Sequence, residues 1–262
     1  EPVTFERMEG EEQVSAPFAF ELRLSSKTLD VKAADVLGTR ATIAVKGPED
    51  SEPRHFDGHV AEFGLAEIRD DFAFYRLLLR PALWFASLAT DNRIFQNLSV
   101  PDIIEEVLRA YPDVVLDKRL EGSYPPRDYC VQFEESDLDF LQRLMEEEGI
   151  FYFFEHGEDG HVTVLADANA AMKPAPGAEE IAYEPDSPSA PREGDYLTGW
   201  VPRAAMRIGA FAQTDYDFLK PSSDLMATAS RPEGHAGDRR EAYLYPGRHL
   251  DLGRGERLAG IR

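Results

Sequence analysis

Along "PFAFELRLSS" the apolar Phe18, Phe20, Leu22 and Leu24 alternate with Ala19, Glu21 and Arg23. That period of two is the mark of a β-strand with one face buried. "ATIAVKG" brings Ile43 and Val45 and stops at a Gly-Pro-Glu-Asp-Ser turn, and "GHVAEFGLAEI" and "FAFYRLLLRP" flank an Arg-Asp-Asp turn at Arg69 to Asp71. These segments predict an antiparallel, hairpin-rich region. Its main interruption is a short helix over Val31 to Leu37, ended by Gly38.

The period then changes. In "SVPDIIEEVLRAYP" Val100, Ile103, Ile104, Val107, Leu108 and Tyr111 fall at helical spacing on one stripe. Ser99 is placed to cap this helix, Pro101 sits in the first turn where a missing N–H costs nothing, and Pro112 stops it.

Further on, "YCVQF" alternates Tyr129, Val131 and Phe133 as a strand. Ser136 then caps a second helix with Leu138, Leu141, Leu144 and Met145 on its apolar face, until Gly149 ends it and "IFYFF" resumes as a buried strand. After "HVTVLAD" the Pro-, Ala- and Glu-rich passage "ANAAMKPAPGAEEIAYEPDSPSAPREGD" reads as a long surface connection. Strands resume at "YLTGWV" and "MRIGAFAQTDYDF", and "LGRGERLAGIR" reads as the start of a helix.

Composition narrows the partners. The 262 residues, 43% hydrophobic, can fill a sizeable core in one large domain or two ordinary ones. A formal net charge of -21 repels phosphate backbones and anionic membranes and selects basic surfaces on protein partners. No apolar run reaches the roughly 18 residues of a transmembrane helix, and no signal peptide is visible at "EPVTFERMEG". A single cysteine, Cys130, excludes an internal disulfide and a Cys-built zinc site, which fits a cytoplasmic origin.

The densest chemistry lies in "VQFEESDLDFLQRLMEEEGIFYFF". A catalytic pair of carboxylates must converge on a cleft. Glu134, Glu135, Asp137 and Asp139 instead lie at a strand-to-helix junction facing several directions, so a solvated helix face outweighs a catalytic dyad. Asp137 and Asp139 fall in the first turn, where the helix dipole favours acids. Glu146, Glu147 and Glu148 fall in the last turn, where it opposes them, and Arg143 is placed to offset part of that.

Asp137-x-Asp139 lacks the glycine and the bidentate glutamate of a calcium loop. His55 and His59, four apart in a strand, are separated by about 13 Å, so they read as two unrelated surface histidines and not as a metal pair. No nucleophile elbow or phosphate-binding glycine loop is present, and "GRGER" is too short for one. Cys130, beside Val131 in a strand, reads as a half-buried structural residue. "RLLLRPALWFASL" and "GIFYFF" read as core strands.

Several blocks resemble a known family. "FDGHV", "YRLLLRPALWFASLATDNRIFQNLSVPDIIEEVL", "DYCVQFEESDLDFLQRLMEEEGIFYFFEH", "TDYDFLKPSSDL" and "YLYPGRHLDLGRGERLAGIR" are similar to the N-terminal part of VgrG proteins, the spike of the bacterial type VI secretion system. The resemblance implies a fold that is mainly β with an α+β insertion: antiparallel β-barrel domains like those of the phage baseplate hub, joined by a mixed α/β region. On that basis residues 1–88 form a first barrel, 89–192 the α/β region with helices near 99–110 and 136–148, and 193–262 the start of a second barrel region, cut short. Unpaired strand edges would then leave Leu250 to Arg262 poorly ordered.

The same resemblance implies a structural subunit that is not an enzyme, with no catalytic, cofactor-binding or metal-binding residue and no cofactor. Its implied partners are its own copies, as a homotrimer, a hexameric Hcp-like tube, and effector or tip proteins, without nucleic acid. It implies assembly in the bacterial cytoplasm and secretion through the type VI system without a signal peptide. Two other readings stand beside it. One is the baseplate hub of a phage or phage-derived contractile tail, which shares the fold; the other is a cell-wall glycan hydrolase, which needs two acids about 5 to 9.5 Å apart across a sugar cleft.

Overall fold

The computed structural model describes residues 3–46, 53–174, 180–185 and 196–262. The turn expected at Gly47 to Ser51 and parts of the Pro-rich connection lie outside the described residues. The chain divides into two compact units, Glu1–Glu146 with Ile150–Leu197, and Glu147–Gly149 with Thr198–Arg262.

The first unit begins with β1 (Thr4–Gln13), β2 (Ala16–Ser26), β3 (Arg40–Val45), β4 (Arg54–Arg69) and β5 (Phe72–Arg80). They form one curled antiparallel sheet in the order β1, β2, β5, β4, β3. Alternation sets its inner face: Leu22 lies opposite Leu77, and Leu77 opposite Phe63. Phe18, Phe20, Leu22, Tyr75, Leu77 and Leu79 are buried there. β4 slips register between Val60 and Glu62 and again between Leu65 and Glu67, and such bulges bend a strand and add to its twist.

The helix expected over Val31 to Leu37 is reduced to a 3-10 turn at Ala33–Asp35. Lys32 stands at its cap position and no side chain accepts from the first amides; so short a segment cannot offset the cost of helix nucleation. "ALWFAS", expected as strand, is a 3-10 helix at Ala82–Ser87. Pro81, which has no N–H to give a ladder, ends β5 just before it. Ala82, Leu83 and Ala86 are still buried.

The remainder of this unit holds β6 (Thr90–Phe95), α1 (Val100–Leu108), β7 (Val115–Arg119), β8 (Cys130–Ser136), α2 (Asp137–Glu148), β9 (Phe151–Gly157), β10 (Gly160–Ala166), β11 (Ala182–Tyr183) and β12 (Tyr196–Leu197). β6 pairs with β8, β11 with β12, and β7, β10 and β9 form a three-stranded sheet in that order. Ile103, Ile104 and Val107 of α1 pack with Phe140, Leu141 and Leu144 of α2 in one core.

Both helices form where the chain prescribes them. Ser99 Oγ accepts from the Asp102 N–H at 3.3 Å while Asp102 Oδ2 accepts from the Ser99 N–H at 3.2 Å, a reciprocal box that satisfies two otherwise orphaned amides. Replacing Ser99 by Ala is expected to cost about 1 kcal/mol, measurable as a lowered midpoint in thermal unfolding; an unchanged midpoint would count against the box. Ser136 Oγ accepts from the Asp139 N–H at 3.0 Å. At the other end of α2 Gly149 takes a left-handed φ of 72°, open to glycine at no steric cost.

β8 turns the opposite way from the one its apolar alternation predicts. Cys130 and Gln132 are buried, whereas Tyr129, Val131 and Phe133 are exposed. Gln132 takes the inner position because both ends of its amide are satisfied there: Oε1 accepts from Arg93 Nε at 2.8 Å, and Nε2 donates to Asp137 Oδ1 at 2.8 Å. Cys130 is thus fully inside, not half-buried.

The second unit contains β13 (Ala210–Gln213), β14 (Ala227–Ser230), β15 (Glu241–Leu244) and α3 (Leu252–Ile261). β13 lies between an antiparallel β14 and a parallel β15. The strands expected over "YLTGWV" and "MRIGAFAQTDYDF" shrink to Tyr196–Leu197 and Ala210–Gln213. Asp215 and Asp217 accept from the Tyr216 and Leu219 amides at 2.7 and 2.8 Å, local bonds that turn the chain and compete with a ladder. The stretch expected to lose order is helical instead, and Asp251 Oδ1 caps α3 by accepting from the Arg254 N–H at 2.9 Å.

Candidate functional site

Several of the acids around α2 are held by specific partners. Asp137 is buried and accepts from Gln132, from Arg93, and from the Tyr111 hydroxyl at 2.8 Å. Burial, and then the bond to Asp137, push the Tyr111 hydroxyl up to about 12. Glu135 is gripped by Arg143 through two bonds of 2.6 and 3.1 Å. Glu134 has a left-handed φ of 51°, and its N–H donates to Asn92 Oδ1 at 2.9 Å. Asp139 belongs to the cap.

In the second unit Glu148 is buried and bonds Arg254 at 2.8 Å and Arg257 as well. A solvated face therefore describes Glu134, Asp139 and Glu146, but not Asp137 or Glu148. Buried charges persist only when paired and hydrogen-bonded, and these two are. Such an arrangement fixes the geometry around Asp137 and Glu148.

A second polar centre, unforeseen in the pattern of the chain, is Asp57 on β4. It is fully buried. Its carboxylate accepts from Thr42 Oγ1 at 2.6 Å and from His161 Nδ1 at 2.7 Å, with Arg40 Nε at 3.2 Å. The Ala82 N–H reaches His161 Nε2 at 3.0 Å. An amide N–H only donates, so Nε2 accepts and Nδ1 carries the proton toward Asp57. The Asp57 N–H in turn donates to His156 Nδ1 at 3.1 Å, and His156 Nε2 faces Glu12 at 3.1 Å. β3, β10 and, through His161, the 3-10 helix after β5 are thereby tied to the Asp57 carboxylate, and β9 to the Asp57 amide.

His59, expected at the surface, is buried, with Nδ1 at 3.3 Å from the Gly38 carbonyl and its ring edge-on to Phe85. The one hint available was spacing: Asp57 and His59 are two apart and share a strand face. His156 and His161 carry no such hint, because they are cross-strand neighbours of β9 and β10 that meet β4 only in the fold. Among the described residues no group of three or more His, Cys, Asp or Glu side chains is gathered to hold a metal ion.

Burial pushes the Asp57 carboxyl up, but the hydrogen bonds from His161 and Thr42 and the nearby Arg40 guanidinium outweigh it and hold it below the ordinary 3.8. Asp167, after β10, behaves alike: burial opposes ionisation, and the Glu121 and Gly122 amides with the Tyr124 hydroxyl, at 2.9, 2.7 and 2.7 Å, lower it. A carboxyl depressed by folding adds stability that is complete above its unfolded value and is lost as pH falls through the folded one. The penalty of Asp167→Asn, read from urea midpoints, is therefore expected to be larger at pH 7 than at pH 3. A penalty independent of pH would contradict the assignment.

The curled antiparallel sheet, the helix-bearing region after it and the internal use of its charges define a structural domain of the phage-hub class. The chain belongs to the phage tail baseplate hub (GPD) family, which matches residues 11–262. It is 37% identical over 262 residues to the type VI secretion system spike protein VgrG1b of Pseudomonas aeruginosa, covering 100% of this chain and 35% of that protein. To the actin cross-linking toxin VgrG1 of Vibrio cholerae it is 30% identical, over 94% of this chain and 22% of that one.

Among solved structures, the Escherichia coli c3393 protein, described as a type VI secretion component similar to the T4 tail proteins gp27 and gp5, aligns with a TM-score of 0.61 and 26% identity over 70% of this chain and 50% of its own. A tail protein of Neisseria meningitidis shares the fold with a TM-score of 0.57 at 12% identity, over 98% of this chain and 69% of that one. The chain spans only 35%, 36% and 40% of the length of three Pseudomonas aeruginosa spike proteins that it matches. No helix among the described residues is long and apolar enough to cross a membrane.

Proposed function

We propose that this chain is the hub region of a type VI secretion spike, a subunit that works by assembly and carries out no bond-making of its own. The observation that carries this reading is identity of 37% to a spike protein along the full 262 residues. On this reading it associates as a homotrimer and adapts a hexameric tube to a trimeric needle, delivering effectors with the spike. It is assembled in the cytoplasm and leaves through the type VI system. Residues 1–88, 89–192 and 193–262 would serve as first barrel, α/β region and start of the second barrel.

The internal pairing of Asp137 and Glu135 supports a scaffold role for the acid-rich stretch. The test is co-sedimentation of the purified chain with preassembled tubes of the cognate tube protein. Stoichiometric binding at one tube end is expected, and absence of binding together with hydrolysis of peptidoglycan by this chain would overturn the reading. A phage-derived tail hub is the second reading, favoured by the family match over residues 11–262; binding to a phage tail-tube protein in preference to the secretion tube would select it.

A further inference from the structure

The imidazoles of His156 on β9 and His161 on β10 each accept a hydrogen bond from a backbone amide. His161 Nε2 takes the Ala82 N–H at 3.0 Å, and His156 Nδ1 takes the Asp57 N–H at 3.1 Å. The second nitrogen of each ring faces a carboxylate: His161 Nδ1 lies 2.7 Å from Asp57, and His156 Nε2 lies 3.1 Å from Glu12. An imidazole with one donor and one acceptor nitrogen is neutral. Each ring therefore uses both nitrogens in its neutral form, with none left free for a second proton.

Adding that proton turns the acceptor nitrogen into a donor aimed at an N–H. The ring gains no bond, because its carboxylate is already reached through the other nitrogen, and the amide loses its acceptor. Water is poorly placed to compensate: the His161 side chain is 3% exposed and that of His156 9%. A buried amide without an acceptor is destabilising.

The charges facing the two rings do not reverse this. Asp57 of β4 attracts a charged His161, but Arg40 of β3 stands 3.2 Å from the same carboxylate and offsets it. Glu12 of β1 is 40% exposed, so solvent screens its pull on His156. Arg80 of β5 donates to the Phe18 carbonyl at 3.4 Å, beside the Phe18 ring that packs on both imidazoles, and repels a cation there. The ring centroids of His59 and His156 each lie 6.1 Å from that of His161, so charged rings would also repel one another. Phe18 and Phe20 of β2 and Phe56 of β4 add only apolar ring surface, which disfavours charge.

Both amides lie where two sheets meet. Asp57 belongs to β4 of the large sheet and Ala82 to the 3-10 helix that follows β5, whereas the histidines belong to the paired β9 and β10. We propose that His156 and His161 form an acid-sensitive joint, in which protonation of the rings releases the Asp57 and Ala82 amides and loosens the large sheet from β9 and β10. An opened chain binds those protons near the ordinary histidine value of ~6.5, and the closed joint excludes them. The joint is therefore complete above that pH and weakens as pH falls below it. Asp57 is held below 3.8 and stays ionised throughout this window, so the response belongs to the histidines.

Amide hydrogen exchange tests this, read residue by residue by NMR and corrected for the intrinsic pH dependence of exchange. Lowering the pH of the wild type from about 7.5 to about 5.5 is expected to reduce protection of the Asp57 and Ala82 amides about tenfold for each ring that takes a proton. Val107 and Leu144, in the helical core, serve as the reference. In the double variant His156→Asn with His161→Gln, whose side-chain carbonyls can accept the same N–H groups without titrating, the loss should disappear. Unchanged protection of both amides in the wild type overturns the inference, as does a loss that Val107 and Leu144 share equally or that the double variant retains. The wild-type measurement decides by itself if the variant does not fold.

Discussion

Asp57→Ala is expected to destabilise the first unit by about 1 to 3 kcal/mol, the usual cost of leaving a buried hydrogen-bonding partner unsatisfied. With a urea slope of about 1 to 3 kcal/mol per molar, the unfolding midpoint should fall by about 1 M. The cause is the number of groups this carboxylate satisfies. Thr42 and His161 donate to it and Arg40 lies beside it; Arg40 and Thr42 are exposed and can rehydrate, but His161 would remain unpaired in a site closed to water at Asp57 and nearly so at His161 itself.

Because the partners act as a set, costs should not add. His161→Ala alone removes the acceptor for the Ala82 N–H as well as a donor to Asp57, whereas in the Asp57→Ala background part of that loss has already occurred. A double-mutant cycle should show coupling of about 1 to 3 kcal/mol. Strict additivity, or a single-mutant cost below about 1 kcal/mol, would mean that the centre is incidental to the packing of β4 against β9 and β10.

What the chain made legible is what depends on near neighbours. Ser99, Pro101 and Asp102 lie within one turn of α1. Ser136 and Gly149 bracket α2, and the alternation of β2 and β5 coincides with the buried face of the large sheet. What stayed hidden depends on distant residues. Gln132 displaced Val131 and Phe133 from the core because Arg93 and Asp137 were waiting to bond it, and Arg93 is remote in sequence.

Asp57 and His161 are separated by 104 positions, so no local window couples them. The acids of α2 misled for a related reason: charge in a helix usually marks the wet face, and only the distant Arg93, Arg254 and Arg257 reveal Asp137 and Glu148 as interior. Polar residues in this chain were thus least readable where they organise the fold most.

Gly255→Ala is expected to be at least as damaging to the second unit. His249 is buried, and its Nε2 lies 2.8 Å from the Leu225 carbonyl, to which it donates. A β-carbon at position 255 would come within 2.5 Å of His249 Cδ2 and Nε2, and one at 247 within 2.7 Å of Cε1 and Nδ1. The ring is thus accommodated where two glycines leave space. "GRGER" has a packing role here, since the Gly255 carbonyl also accepts from Gln213 Nε2 at 2.7 Å.

Overpacking of this kind costs about 1 to 3 kcal/mol, and displacing the ring adds the loss of a buried hydrogen bond, about 1 kcal/mol. Thermal unfolding should show the loss in Gly255→Ala and Gly247→Ala alike. The decisive variant is Gly255→Ala combined with His249→Ala, in which the new methyl occupies space the ring has vacated. That pair should be more stable than the sum of the single losses predicts, because the clash is absent once the imidazole is gone. If the two losses simply add, contact with His249 is not the reason that position 255 requires glycine.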